Sequence, residues 1–133
     1  MTNEQIARML GLKEVEYKET TSQVDEGELL WVNADESYNY GTIEEVAKWL
    51  DSAEGRQKIR DRVKELLKAR GWAYEYRWWI NTDDSECHAL AVGPVRYNDD
   101  DDACLLPEGF LNEFTESAAW LAALEFLTKE IEK

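Results

Sequence analysis

Four segments of the chain repeat apolar side chains every three or four residues, a spacing that places them on one side of a helix. Residues with capping chemistry stand at the ends of these segments. Thr2 and Thr42 each begin a capping box, and Gly71 can end the third segment. The predicted helices are 2–10, 42–50, 53–70 and 115–132. The third helix has a predicted core stripe of Ile59, Val63, Leu66 and Leu67.

Strand-like alternation is clearest over 72–81 and returns over 87–92, which predicts two strands paired as a hairpin. Gly93 and Pro94 then break the second strand or mark an edge or bulge. Weaker patterns predict a ragged strand or loop over 13–23, a short strand over 28–32 and a loop over 33–41. This order of elements predicts an α+β fold, with a small antiparallel sheet covered by helices. The length of 133 residues suits one domain, 1–133.

The first strand of this hairpin is rich in aromatic residues. The simplest interpretation places its even-numbered side chains, from Trp72 to Ile80, on the core face beneath the helices. Trp79 then lies on the opposite face with Glu75 and Arg77, which are expected to form a surface ion pair. An exposed Trp79 would be a candidate contact for a base, a ligand or a partner side chain.

Charge separates the loops from the helices. The formal net charge is −14, and 13 of the 29 acidic residues lie in segments predicted to be loops. Seven of the 15 basic residues lie instead in the segment 56–70. Repulsion then disfavours nucleic acids and anionic membranes as direct partners, whereas attraction favours basic protein surfaces. The alternative that the acidity only keeps the protein soluble stays open.

The termini and cysteines bear on the compartment. No apolar run reaches the roughly 18 residues that span a bilayer, and the polar N-terminus lacks the pattern of a signal peptide. We therefore expect a cytoplasmic protein. Cys87 and Cys104 are the only cysteines, and in a reducing compartment they are expected to be free thiols.

Catalytic and metal-binding signatures are weak. Cys87 and His88 are adjacent on a predicted strand and so point to opposite faces, and a dyad would need Cys104 to approach His88 instead. The acidic run that begins at Asp99 has Cys104 and Phe110 where a calcium loop needs Gly and Glu. No zinc ligand spacing or glycine-rich phosphate loop is present. The sequence predicts a non-enzyme with no cofactor and no metal.

Several segments resemble the phage ABA sandwich family, small proteins encoded mostly in phage and prophage genomes. The matching pieces are 4–12 (EQIARMLGL), 68–72 (KARGW), the strand 74–80 and the alanine-rich helix within 114–124 (FTESAAWLAAL). The resemblance spans most of the chain and implies a helix-sheet-helix sandwich and a phage origin. The segment 96–112 departs from the family pattern as a long insertion. The family has no established common activity, so the resemblance assigns no catalytic residue.

Small phage proteins outside the virion machinery often blunt host defence, which suggests the first functional hypothesis. Acidic loops would occupy a basic, nucleic-acid-binding site on a host defence enzyme in the host cytoplasm, acting as a non-catalytic inhibitor. Both acidic segments are expected to project from the same end of the sheet. The predicted partner-binding residues are Asp83, Asp84, Glu86, Asp99, Asp100, Asp101 and Asp102.

The alternative hypothesis is sequestration of a small nucleotide-type immune signal in an aromatic and basic pocket. Its predicted ligand-binding residues are Trp79, Arg77, Arg56, Arg60 and Lys64. The last three recur every four residues along one side of the third helix, for which a solvated face is the simpler interpretation. The sequence leaves the oligomeric state open, with a homodimer as one alternative.

Overall fold

The computed structural model of the chain describes residues 2–16, 29–97 and 103–131. These residues form four helices and two antiparallel sheets, which confirms the predicted α+β class. The elements belong to two compact units, Met1–Lys58 and Ile59–Lys133, and the assignment of a single domain stays a prediction. None of the described helices is both long and apolar enough for a bilayer crossing.

The first unit is built around a three-stranded sheet with strand order β1-β2-β3. Its elements are α1 (Asn3–Met9), β1 (Lys13–Glu16), β2 (Leu29–Val32), β3 (Asn39–Gly41), α2 (Ile43–Leu50) and the start of α3 (Ala53–Arg70). The central strand supplies three buried residues, Leu30, Trp31 and Val32, and Val46 of α2 is fully buried as well. The segment 33–41, which the sequence predicts to be a loop, contains the strand β3. This strand is defined by its backbone pairing with β2, and its three residues are too few to show an alternating pattern.

Helix ends in this unit follow local chemistry in part. The capping box of α1 is confirmed, because the Gln5 amide donates to the Thr2 hydroxyl and the Gln5 side chain accepts from the Thr2 amide. The capping box predicted at Thr42 is wrong, since its side chain makes no capping bond. The Glu45 carboxylate instead lies over Gly41, where a β-carbon would be 2.5 Å from the carboxylate oxygen Oε2.

The second unit is built around β5, which pairs antiparallel with all three other strands of its sheet. Its elements are the remainder of α3, β4 (Trp72–Ile80), β5 (Glu86–Tyr97), β6 (Ala103–Leu105), β7 (Gly109–Glu113) and α4 (Glu116–Ile131). The predicted hairpin is confirmed by a register that runs from Trp72 opposite Pro94 to Ile80 opposite Glu86. Strand β5 continues through Gly93 and Pro94 without a break.

The core of the second unit lies between β5 and the helices. Leu90 and Val92 of β5 are fully buried, and so are Leu124 and Leu127 of α4. The stripe predicted on α3, from Ile59 to Leu67, is buried at all four of its positions. Apolar side chains from one strand and two helices therefore meet on one face of the sheet.

The aromatic strand β4 is less buried than the sequence predicts. Trp72 and Tyr76 are half-buried, but Tyr74, Trp78 and Ile80 are 39%, 55% and 60% exposed. The prediction that all even-numbered side chains form a core face is therefore wrong. The physical reason is that β4 pairs only with β5 and therefore lies at an edge of the sheet. The fully buried side chains of this sheet are on β5.

Candidate functional site: an acidic turn and a basic aromatic groove

The turn between β4 and β5 holds the first candidate surface and is fixed by hydrogen bonds. The Asn81 amide donates to the Ser85 carbonyl at 2.8 Å, and the Asp84 amide donates to the Asn81 carbonyl at 3.0 Å. The Asp83 carboxylate oxygen Oδ1 accepts from the Ser85 amide at 3.0 Å and from the Ser85 hydroxyl at 2.6 Å. Asp84 adopts a positive φ of 67°, which Asp tolerates better than most residues. The turn therefore presents its carboxylates from a defined backbone.

These bonds favour the ionised form of Asp83. The hydrogen bonds from the Ser85 hydroxyl and then from the Ser85 amide lower the pKa of Asp83 below its ordinary value of 3.8. Asp83 and Asp84 are exposed to solvent, and so is Glu86 at the start of β5. The lowered pKa keeps Asp83 ionised throughout the physiological pH range.

A serine-to-alanine change at position 85 tests this assignment. In Ser85→Ala the carboxylate loses its hydroxyl donor but keeps the backbone donor, so we expect the pKa of Asp83 to rise part of the way towards 3.8. Because the folded-state pKa is lowered, the turn's contribution to stability is present above pH 3.8 and is lost as the pH falls through the folded value. Carbon-detected NMR titration of the Asp83 side chain measures the shift. An unchanged pKa of Asp83 would show that the bond from the Ser85 hydroxyl does not form in solution. Ser37→Ala is the matched control, because it removes the equivalent hydroxyl donor to Asp35.

Only the turn residues of the predicted acidic patch lie within the described part of the chain. The turn precedes Glu86, the first residue of β5, whereas Asp99–Asp102 follow Tyr97, the last residue. Asp99–Asp102 lie outside the described residues, but Tyr97 and Ala103 on either side of them pair with each other. A straight 12-residue strand separates its ends by roughly 36 Å. Because Asp99–Asp102 lie outside the described residues, the expectation that both acidic segments project from the same end of the sheet stays a prediction.

The second candidate surface is a groove between α3 and β4, with a volume of about 270 Å³. We call it the basic aromatic groove, and its lining residues are Lys64, Leu67, Lys68, Trp72, Ala73 and Tyr74. The Lys64 ammonium lies 6.0 Å from the ring centroids of Tyr74 and of Trp120 on α4. These two rings meet edge to face, with centroids 5.2 Å apart.

The other residues predicted for a ligand pocket are engaged elsewhere. Arg77 donates to the Glu75 carboxylate at 2.6 Å, which confirms the predicted surface ion pair, and the Trp79 indole donates to Asn81 at 3.1 Å. Alternation along β4 places Arg77 and Trp79 on the face opposite Tyr74 and therefore away from Lys64. Arg60 lies 3.8 Å from the Glu116 carboxylate. Arg56 is exposed and belongs to the first unit.

Sequence reasoning missed the groove because it assigned Trp72 and Tyr74 to the core. A usable signal was present: Lys64 and Lys68 are one helical turn apart, and β4 begins directly after Gly71. A helix and a strand joined by so short a connection run back along each other, so the end of α3 must lie beside the start of β4.

His88 is packed among aromatic rings and does not form a dyad with cysteine. Tyr76 and Trp78 stack on its ring, and the Tyr76 hydroxyl hydrogen-bonds its Nδ1 atom. Burial raises the pKa of Tyr76, and the carboxylates of Glu116 and Glu86 raise it further. Cys104 pairs opposite Arg96, eight residues along β5 from His88. Cys87 and Cys104 are free thiols, as predicted.

Metal chemistry has no support in the part of the chain that the structure describes. Within 2–16, 29–97 and 103–131, no three His, Cys, Asp or Glu side chains gather as ligands for an ion.

Comparison with known proteins finds no match for this chain among protein-family models, curated proteins or solved structures.

Proposed function

We propose that this protein is a non-catalytic, phage-encoded inhibitor that presents exposed carboxylates to a basic, nucleic-acid-binding surface of a host defence enzyme. The observation that carries the proposal is the turn between β4 and β5. Three carboxylates, those of Asp83, Asp84 and Glu86, are exposed there on a hydrogen-bonded backbone. A preorganised negative surface loses less conformational entropy on binding than a flexible acidic segment does.

The charge of the whole protein supports the same partner. The first unit contains 13 acidic and 6 basic residues, and the second contains 16 acidic and 9 basic residues, so each has a net charge of −7. No charged side chain among the described residues is buried. The negative charge is therefore available to steer the protein towards a basic surface and to accelerate association.

The phage origin comes from the resemblance of 4–12, 68–72, 74–80 and 114–124 to the ABA sandwich family, and the defence target comes from the role that small phage proteins outside the virion machinery often have. The non-catalytic part of the proposal comes from the sequence, which shows no nucleophile–base set. The acidic site is proposed at the turn alone, because Asp99–Asp102 lie outside the described residues.

The proposal is tested by neutralising the turn. The target is captured from a defence-competent host lysate and purified, and competition with its nucleic acid is followed by fluorescence anisotropy. We expect the triple variant D83N/D84N/E86Q to bind the target about tenfold or more weakly, because exposed ion pairs contribute up to about 1 kcal/mol each. Affinity should also fall with rising salt, because exposed charges are screened.

A matched control removes the same amount of charge elsewhere. E16Q/D51N/E108Q changes three exposed carboxylates outside the turn and reaches the same net charge of −11. We expect it to keep most of the affinity. Equal losses in the two triple variants would assign the effect to net charge and overturn the site, and an affinity that does not change with salt would overturn the mechanism.

A further inference from the structure

The basic aromatic groove concentrates positive charge on an otherwise acidic protein. Lys64 and Lys68 lie on its α3 side, and Arg70 stacks on Trp72 with its guanidinium carbon 4.9 Å from the ring centroid. Within the described residues, neither lysine forms an ion pair with a carboxylate. Two ammonium groups are therefore available to an anion.

Two carboxylates on the elements around the groove are engaged by other contacts. Glu116 accepts from the Trp120 indole at 3.4 Å and lies 3.8 Å from Arg60, so its charge is partly compensated before it can act on Lys64. Glu75 lies on the opposite face of β4 and pairs with Arg77. The sheet therefore separates the groove from the Glu75 carboxylate.

The aromatic wall of the groove is accessible. Tyr74 is 39% exposed, and its ring is held edge to face against Trp120. Trp72 lies two residues earlier on the same face of β4 and is half-buried. A fixed and partly exposed aromatic ring can stack on a nucleobase, and each such contact contributes roughly 1–3 kcal/mol.

We propose that the groove between α3 and β4 binds a nucleoside monophosphate, with Lys64 and Lys68 on the phosphate and Tyr74 against the base. This binding activity is independent of the acidic turn. Ammonium groups recognise a phosphate dianion through charge-assisted hydrogen bonds. The volume of about 270 Å³ lies just below the range for drug-sized ligands, which favours a mononucleotide over a dinucleotide.

Local charge decides this binding despite the net charge of −14. At an ionic strength near 0.1 M the Debye length is about 10 Å, so carboxylates farther from the phosphate are largely screened. The two lysines act at contact distance, where screening is weak. Measurements at about 0.1 M salt are therefore better suited to this site than measurements at very low salt, where repulsion from distant acids extends farther.

Titration of the full-length protein with adenosine 5′-monophosphate, followed by amide NMR shifts, tests the proposal. We expect saturable shifts around Lys64, Lys68 and Tyr74. Adenosine lacks the phosphate and ribose 5-phosphate lacks the base, so each should bind at least about tenfold more weakly than the complete nucleotide. Equal binding of ribose 5-phosphate and the nucleotide would overturn the role of Tyr74, and an absence of shifts at millimolar nucleotide would overturn the site.

Charge-neutralising variants identify the phosphate contacts. Lys68→Gln changes an exposed side chain, so its fold should be intact, and we expect at least an approximately tenfold loss of nucleotide affinity. Lys48→Gln, on α2 of the first unit, makes the same change in net charge and should keep the affinity. Equal nucleotide affinities of the unchanged protein, Lys68→Gln and Lys48→Gln would overturn the proposal. An equal loss in both variants would show a nonspecific charge effect and would also overturn it.

Discussion

Leu90→Ala is expected to lower the free energy of unfolding by about 2–5 kcal/mol. Leu90 lies in the middle of β5 between Tyr76 and Leu111, and its side chain has no solvent exposure. Truncation there removes apolar contacts and leaves a cavity, because the paired strands on both sides resist collapse. Since small proteins have only about 5–15 kcal/mol of stability, this loss would be a large fraction of the total.

Urea unfolding monitored by tryptophan fluorescence measures this effect. Leu121→Ala is the matched control, because Leu121 lies on α4 and is only half-buried. We expect the control to lose less stability than Leu90→Ala, since part of its side chain is already in water. Similar losses in the two variants would contradict the placement of the core beneath β5.

Gly93→Ala is expected to destabilise the protein by about 3 kcal/mol, the upper part of the usual range for overpacking. A β-carbon at this position would lie 2.1 Å from the Leu106 carbonyl oxygen and 2.9 Å from the Glu108 amide nitrogen. Both are backbone atoms. The Leu106 amide donates to the Pro94 carbonyl and the Glu108 amide donates to the Val92 carbonyl, so the segment cannot move aside without losing hydrogen bonds.

Gly71→Ala separates this steric effect from backbone strain. Gly71 has a φ of 71°, but no atom lies within 4 Å of the position that a β-carbon would take there. Replacing Gly71 with alanine should therefore lower the free energy of unfolding only by the left-handed backbone penalty of about 1–2 kcal/mol. Thermal unfolding of both variants gives the comparison. A loss at Gly93 no larger than the loss at Gly71 would show that the backbone of 106–108 is not held this close to β5.

Local sequence signals account for the helices. The capping pair Thr2 and Gln5 predicts the start of α1, and the apolar stripe from Ile59 to Leu67 predicts the buried side of α3. These features depend on residues three or four positions apart, which the helix itself brings together. The hairpin of β4 and β5 is similarly local, because its two strands are separated only by a short polar turn.

Non-local pairing and short strand length account for what the sequence missed in the fold. Strand β7 pairs with β5 in a register that joins His88 to Glu113. Strand β3 pairs locally with β2, but its three residues are too few to show an alternating pattern. Neither β3 nor β7 has a strong alternating pattern of its own. Their hydrogen bonds are made by backbone groups, which carry no side-chain signature.

The two candidate surfaces also depend partly on the sequence and partly on the tertiary structure. The sequence alone determined the net negative charge, the carboxylates of the 81–86 segment and the lysines of α3, because these are properties of residue type and local spacing. Only the tertiary structure decided that β4 lies at an edge of its sheet and that Lys64 meets Tyr74 and Trp120. The physical reason is that strand length and edge position fix which side chains converge, and both depend on contacts between residues far apart in the chain.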